Sequence, residues 1–369
     1  MTFPDSGAGR EAGPPGRALV VGTGLIGGSV GLALRARGWE VRGYDADPAR
    51  AACALERGAL SATGDDPDAQ VAFVATPASA VAPVAASLLH DPARRPDLVV
   101  TDVSGVKSAV VGAVGHPRFV GGHPMAGSEQ AGLDGADPDL FLGALWVLTP
   151  APDTDLEAFS TVRGVVTSMG ADVVALSPSD HDRLVAMVSH VPHLVAATLM
   201  NEAADAAAQD AVLLRLAAGG FRDMTRVAAG HPGIWPDVCA DNSAAIVSVL
   251  DRVIEELGAV RDRVRAHDRD GLLAVLERAS RARRHLPARG ARPERLTEVR
   301  VPVLDREGVL AELTSVAGDL GANIYDIEIA HSPEGPRGVL LLLVDAADAP
   351  GLCEAIGARG YHATAQVLS

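Results

Sequence analysis

The sequence predicts an α/β chain in three parts: a doubly wound, mostly parallel sheet, then an all-helical segment, then a small unit in β-α-β-β-α-β order. Three observations predict it. Short apolar runs alternate with amphipathic stretches over residues 17–178, no strand pattern convinces from Ser179 to about His285, and strand patterns return after a stretch rich in Pro, Arg and Gly. The length of 369 residues agrees, since a single core rarely serves so long a chain.

Taken in order, residues 1–16 are rich in Pro, Gly and Ala and lack the basic and apolar regions of a secretory signal, so a disordered tail is expected. Over 17–178 the strand candidates are ALVVG (18–22), EVRGYD (40–45), VAFVAT (71–76), LVVTDV (98–103), FVGGH (119–123), ALWVLTP (144–150) and ADVVAL (171–176). Helical stretches such as SVGLALRARG and DLEAFSTVRGVVTSMG separate them, the alternation of a doubly wound sheet. Residues 179–285 read as helical throughout. There Ile246, Val249, Leu250, Val253, Leu257, Val260 and Val264 recur at spacings of three and four and form one apolar stripe. Such a stripe is expected to pack against a second copy in a homodimer, or equally within the monomer. LPARGARPER (286–295) reads as a linker, and the unit over 296–369 as ferredoxin-like.

Composition excludes several classes of function. A net charge of −15 with 3% aromatic residues offers neither a basic face nor a stacking platform for nucleic acid. No uninterrupted apolar run reaches the roughly 18 residues that a membrane span requires. Cys53, Cys239 and Cys353 lie far apart without a CxxC pair, which points to a reducing cytoplasm and away from a zinc site. Lys107 is the only lysine, so arginine must supply any pocket for an acidic substrate.

The first strand runs straight into Gly22-x-Gly24-x-x-Gly27, with Leu25 and Ile26 between the last two glycines at the predicted start of a helix. Strand, glycine turn and helix in that order make a pyrophosphate cradle of the Rossmann type. Asp45 ends the next strand, where a carboxylate hydrogen-bonds a ribose 2′-hydroxyl and repels a 2′-phosphate; Asp47 adds to the repulsion. NAD is therefore the expected cofactor.

Loops at the carboxyl ends of the later strands face the ligand in such sheets. They are Thr101-Asp102-Val103-Ser104-Gly105-Val106-Lys107 and Gly121-Gly122-His123-Pro124-Met125-Ala126-Gly127-Ser128-Glu129. The helical segment adds Asp180-His181-Asp182, Ser189-His190-Val191-Pro192-His193 and Gly219-Gly220-Phe221-Arg222-Asp223-Met224-Thr225-Arg226, followed by Trp235. In this order, from about Ala18 to His285, the chain resembles the prephenate/arogenate dehydrogenase family of tyrosine biosynthesis. Its end, through DREGVLAEL and GANIYDIEI, is similar to ACT domains, which often sense amino acids.

The resemblance implies an NAD-dependent oxidative decarboxylation of prephenate to 4-hydroxyphenylpyruvate, or of arogenate to tyrosine. It gives His123 the role of accepting the substrate hydroxyl's hydrogen bond as hydride leaves, although a lone strand-end histidine is more often a structural cap. It places Arg226 on a substrate carboxylate, which a guanidinium grips in bidentate fashion. Ser189 and His193, at i and i+4, fall on one helical face and by resemblance lie at the substrate. Glu129 and Asp223 are expected at the pocket mouth as partners of Arg226, or equally as plain surface carboxylates; Trp235 is expected to close the pocket from a loop between two prolines, or equally to be core; and Thr76 is expected near the nicotinamide ribose or as a cap of the next turn. One feature departs from the family. Many members read D-x-G-S-V-K, whereas here Ser104 precedes Gly105, displacing the candidate catalytic serine by one residue, so that its hydroxyl either regains the substrate contact through a backbone shift or is lost from the site. The ACT-like end implies tyrosine as an effector. A β-hydroxyacid dehydrogenase is a rival reading, disfavoured because no lysine follows Lys107. A non-catalytic amino-acid sensor is another, disfavoured by the intact His123 and Arg226. A metal pair of His190 and His193 lacks the glutamate of HExxH.

Overall fold

The computed structural model describes residues 16–128, 130, 132–208, 210, 212–230, 232–284, 296–304, 306, 308–331 and 337–367. Residues 1–15 of the expected tail and the whole expected linker (286–295) lie outside the described residues. The chain divides into two compact units, Met1–Leu257 and Gly258–Ser369.

In the first unit one sheet holds β1 (Arg17–Val21), β2 (Glu40–Tyr44), β3 (Ala62–Thr63), β4 (Val71–Val74), β5 (Val99–Asp102), β6 (Phe119–Pro124), β7 (Leu145–Thr149) and β8 (Asp172–Ala175). Their order is β3-β2-β1-β4-β5-β6-β7-β8. The chain reverses its winding between β1 and β4, and ligands sit at the carboxyl ends of strands beside such a switch point. Helices α1 (Leu25–Arg35), α2 (Pro48–Glu56), α3 (Ala78–His90), α4 (Ser108–Val114) and α5 (Leu156–Ser168) connect the strands. Val71–Val74 and Val99–Asp102 are buried throughout; the first reads as an unbroken apolar run rather than an alternating one, and the second ends in the buried polar pair Thr101 and Asp102.

Two features of the sheet differ from the sequence expectation. β3, only two residues long, is too short to leave a pattern, so the VAFVAT strand is fourth in the sheet and not third. β7 runs antiparallel to β6, with His123 opposite Val147, and β8 then runs parallel to β7. A strand buried on both faces looks the same in either direction, so its sequence does not reveal its polarity.

The following segment is helical. Residues Pro178–Val185 (α6), Ala186–His190 and Val191–Ala207 (α7) form one continuous run whose middle is a π turn. There the Val191 N–H reaches back five residues to the Ala186 carbonyl. Pro192 explains the change of register, because its missing N–H breaks the ordinary i→i−4 ladder at the next position. By length and composition alone this run could cross a bilayer, but its His181, Asp182 and His190 are tied into the hydrogen bonds described below. Next come α8 (Gly219–Thr225), a 3-10 turn at Arg226–Ala229, α9 (Trp235–Asp241), α10 (Ser243–Arg265) and α11 (Arg269–Arg284). Of the expected stripe on α10, Ile246 and Val249 are buried, whereas Leu257 and Val264 remain 58% and 56% exposed in the single chain.

In the second unit β9 (Leu296–Leu304), α12 (Val309–Asp319), β10 (Ile324–His331), β11 (Arg337–Asp345), α13 (Ala349–Ala358) and β12 (Thr364–Val367) follow one another. The strands make an antiparallel sheet in the order β10-β11-β9-β12. Alternate residues Val299, Val301, Leu340 and Leu342 of the central strands close a core with Leu313, Leu352 and Ile356 of the two helices.

Candidate active site

The glycine turn leaves β1 and enters α1. Gly22 has φ +92°, and a Cβ there would stand 2.5 Å from the Ala75 carbonyl oxygen. At Gly27 a Cβ would meet the Gly22 oxygen at 1.9 Å. Both positions therefore demand glycine. The helix begins at Leu25 without a side-chain cap, and the first bond back to the turn is Gly28 N–H to Gly24 O at 2.8 Å. The N–H groups of Leu25, Ile26 and Gly27 are thus the unsatisfied donors of a helix N-terminus, which suits a pyrophosphate. Asp45, just past β2, accepts from Thr23 N–H at 2.8 Å and Asp47 N–H at 3.0 Å. Burial works to raise its pKa, but these bonds outweigh it and hold the carboxyl below its ordinary value. The Thr76 backbone lies against the turn, its nitrogen 3.2 Å from where a Gly22 Cβ would be. These features fit NAD.

Beyond the switch point, β6 carries His123 at its carboxyl end. Its Nδ1 lies 2.8 Å from Nε2 of His181, whose Nδ1 lies 2.8 Å from Oδ1 of Asp182. The backbone N–H groups of Lys107 and Ser108 donate to the two carboxylate oxygens at 2.8 Å each. Burial works to raise the Asp182 pKa, but the bonds from His181, Ser108 and Lys107 hold it low. An ionised carboxylate only accepts, so His181 Nδ1 must carry the proton facing it. With one proton on His181, its Nε2 accepts from His123 Nδ1–H, which leaves a lone pair on His123 Nε2. Burial, then the Lys107 cation and the neighbouring imidazoles push the His123 pKa well below its ordinary value, against the pull of Asp182. The ring is neutral at physiological pH, with an acceptor nitrogen to offer.

Under this chain lies a fully buried pair, Lys107 and Asp102. Ser104 belongs to it. Its hydroxyl bonds the Asp102 carboxylate and takes the Lys107 ammonium at 2.9 Å. The expectation of Ser104 as a catalytic hydroxyl is thereby corrected, because its oxygen is committed inside the network. The residue beside the His123 ring is Gly105, where a Cβ would stand 3.7 Å from Nε2.

A line of contacts extends from the chain into the helical segment. Asn242 donates to the Asp182 carbonyl oxygen at 2.9 Å and lies 3.2 Å from His190 Nδ1. His190 meets Trp235 edge-on, and Trp235 stacks on His193 with ring centroids 3.7 Å apart. Gly230, at the end of the turn that Arg226 opens, faces His193, with a Cβ there 3.7 Å from Cε1. Packed side chains thus lead from His123 to His193, which stands beside Gly230 at the end of the Arg226 turn. Arg226 itself is exposed and makes no ion pair among the described residues.

Several expected details are revised. Asp223 is exposed and forms no ion pair with Arg226; the two lie only three residues apart on a short α8 and its 3-10 extension, and their side chains do not meet. Trp235 opens α9, with Pro236 at the first turn where proline is tolerated, rather than sitting in a loop. The π turn adds a residue to the helix ladder, so half-buried Ser189 and His193 straddle its end instead of stacking as a simple i, i+4 pair. Glu129 lies outside the described residues. His181, Asp182 and Asn242 were given no role by the sequence, although the Asp180-His181-Asp182 cluster beside a Ser-Pro helix start marked the place.

A Rossmann-type glycine turn, a carboxylate ending β2 and a neutral histidine at the end of β6 define an NAD-dependent dehydrogenase. Comparison with known proteins narrows the class. Residues 30–175 match the nucleotide-binding domain of prephenate dehydrogenase and residues 177–278 its dimerization domain. A prephenate dehydrogenase of Bacillus subtilis is 33% identical over 87% of this chain and 90% of its own length. A solved prephenate dehydrogenase of Aquifex aeolicus, in complex with hydroxyphenyl propionate and NAD+, is similar with a TM-score of 0.69 and 27% identity, over 74% of this chain and 99% of its own. A solved arogenate dehydrogenase of Synechocystis has a TM-score of 0.66 and 32% identity, over 72% of this chain and 98% of its own. The chain belongs to the prephenate dehydrogenase family and is an NAD-dependent oxidoreductase.

Proposed function

We propose that this chain oxidises prephenate in tyrosine biosynthesis, with His123 as proton acceptor and Arg226 as carboxylate anchor. The observation that carries the reading is the Asp182–His181–His123 chain, which leaves an acceptor nitrogen at the carboxyl end of β6. Leu25, Ile26, Gly27 and Asp45 would hold NAD at the glycine turn, and the bound cofactor would supply the hydride acceptor. His123 Nε2 takes the hydroxyl proton as hydride leaves the carbon bearing that hydroxyl. The imidazolium that forms is stabilised through His181 by the Asp182 carboxylate. When the opposite ring carbon loses carbon dioxide, the electrons of the breaking bond aromatise the ring, and the proton returns to the phenolate oxygen. Aromaticity provides the driving force, so the protein's part is orientation and proton handling. Arg226, exposed and without an ion pair among the described residues, is available to a substrate carboxylate, and His193, held by Trp235, lines the way to it.

Arogenate is the second reading, favoured by the 32% identity to the Synechocystis arogenate dehydrogenase. Mixing the full chain with NAD and either substrate while following NADH absorbance tests both. Faster turnover of prephenate supports the first, faster turnover of arogenate the second, and NADH from neither contradicts the enzyme reading.

We read the antiparallel unit as a ferredoxin-like ACT-type sensor of tyrosine, a reading supported by its two helices and the order β10-β11-β9-β12. Non-competitive inhibition by tyrosine supports that role; competitive inhibition places tyrosine in the active site instead. The exposed Leu257 and Val264 favour a homodimer built on α10, and the dispersed free cysteines favour a cytoplasmic enzyme.

A further inference from the structure

We propose that Lys107 is the positioning residue of the reaction, holding His123 in register from two sides. This rests on the reading of His123 as the proton acceptor. The three ammonium protons of Lys107 meet three acceptors: the Asp102 carboxylate, Ser104 Oγ at 2.9 Å and the Gly122 carbonyl oxygen at 2.7 Å. Asp102 in turn takes the Gly122 N–H at 3.0 Å. Both backbone polar groups of the residue before His123 are thus held by one ion pair. That grip begins where the ladder between β5 and β6 stops, at Thr101 opposite Val120. The second hold passes through the Lys107 backbone. Its N–H donates to Oδ1 of Asp182, the oxygen that orients His181 and, through it, the His123 ring.

Stability alone does not account for such a pair. A fully buried ion pair is often matched or bettered by packed apolar residues of similar size. Apolar residues, however, neither satisfy Gly122 nor place a cation beside the imidazole. The charged and titratable groups around the pair come from every element packed on it: Asp102 from β5, His123 from β6, His181 and Asp182 from α6, and His190 from the π turn. Burial keeps the His123 pKa low, and the Lys107 cation acts in the same sense, as do His181 and His190, while Asp182 opposes them.

The test uses the full-length enzyme with NAD and prephenate. Asp102→Asn/Lys107→Met removes both charges together, so neither is stranded. NAD affinity and KM for prephenate should hold within about threefold, while kcat falls at least about tenfold, as loss of alignment demands. The acid limb of kcat/KM should also shift, because the charge pair beside the imidazole is gone. A folded double variant with unchanged kcat and an unchanged acid limb overturns the proposal. A double variant that no longer binds NAD passes the decision to Ser104→Ala, which withdraws one ammonium acceptor without a change of charge. There kcat should fall about threefold at constant KM, and an unchanged kcat overturns the proposal. His123→Asn is assayed alongside. Normal turnover in that variant refutes the role of His123 itself, whereas normal turnover confined to the Lys107 and Ser104 variants refutes only the inference made here.

Discussion

Asp182→Asn is the sharpest perturbation of the proton chain, since it keeps the shape of the side chain and removes only its charge. Two hydrogen bonds of 2.8 Å with one imidazole between them put the carboxylate roughly 8 Å from His123 Nδ1, where a unit charge at an effective dielectric near 20 contributes about 2 kcal/mol. Loss of that contribution to the forming imidazolium lowers kcat by roughly 30-fold. A further loss comes from the tautomer. The asparagine amide group, turned towards His181, offers a donor where an acceptor stood, and the protons on both imidazoles then shift to the wrong nitrogens. The same change leaves one N–H of the α4 start facing a donor, at a stability cost of about 1–3 kcal/mol. The assay is NADH formation at saturating NAD and prephenate, with NAD affinity measured separately as a check on folding. A kcat within about threefold of the parent, in a protein that still binds NAD, refutes the claim that Asp182 acts through His181 on His123.

Three other outcomes follow from the same geometry. His123→Asn removes the proton acceptor and should lower kcat by roughly 10²- to 10⁴-fold with little change in KM; a raised KM at normal kcat would make it a binding residue instead. Arg226→Ala withdraws a charge-assisted pair of hydrogen bonds and should raise KM for prephenate by roughly 10- to 100-fold, measured by initial rates, and an unchanged KM removes Arg226 from the site. The sign of the pH dependence comes from the depressed His123 pKa. The neutral base is present above that pKa and is lost as pH falls through it, so the acid limb of kcat/KM should lie below the ordinary histidine value of about 6.5. His190 and His193, each lowered by burial, do not move the limb upward. An acid limb at or above neutrality would mean that His123 is not the titrating base.

The glycine turn and the strands of the sheet are legible in the sequence because burial imposes a pattern that local residues must carry. Gly22 and Gly27 are dictated by contacts with Ala75 and with the turn itself, and Asp45 by its place at the end of β2. What the sequence leaves hidden is relational. The direction of β7 depends on its neighbour and not on its own apolar residues. The π turn follows from Pro192, yet a proline near the start of a helix is ordinary, and only coordinates reveal the Val191 bond to Ala186. His181 and Asp182 look like polar residues in the first turns of a helix; their role arises because α6 brings them to β6 and the start of α4, 58 and 75 residues away in the chain. Ser104 shows the opposite error. A hydroxyl one residue from a catalytic position invites a catalytic reading, but the buried Lys107 and Asp102 claim it.

The central claim is that one substrate sits with its hydroxyl on His123 and its carboxylate on Arg226, beside a nicotinamide held from the glycine turn. A crystal structure of this chain with NAD and hydroxyphenyl propionate tests it directly. The account predicts the phenolic oxygen within hydrogen-bond distance of His123 Nε2 and the carboxylate in the fork of Arg226. A ligand whose oxygen turns away from His123, or whose carboxylate is gripped by another cation, would contradict it.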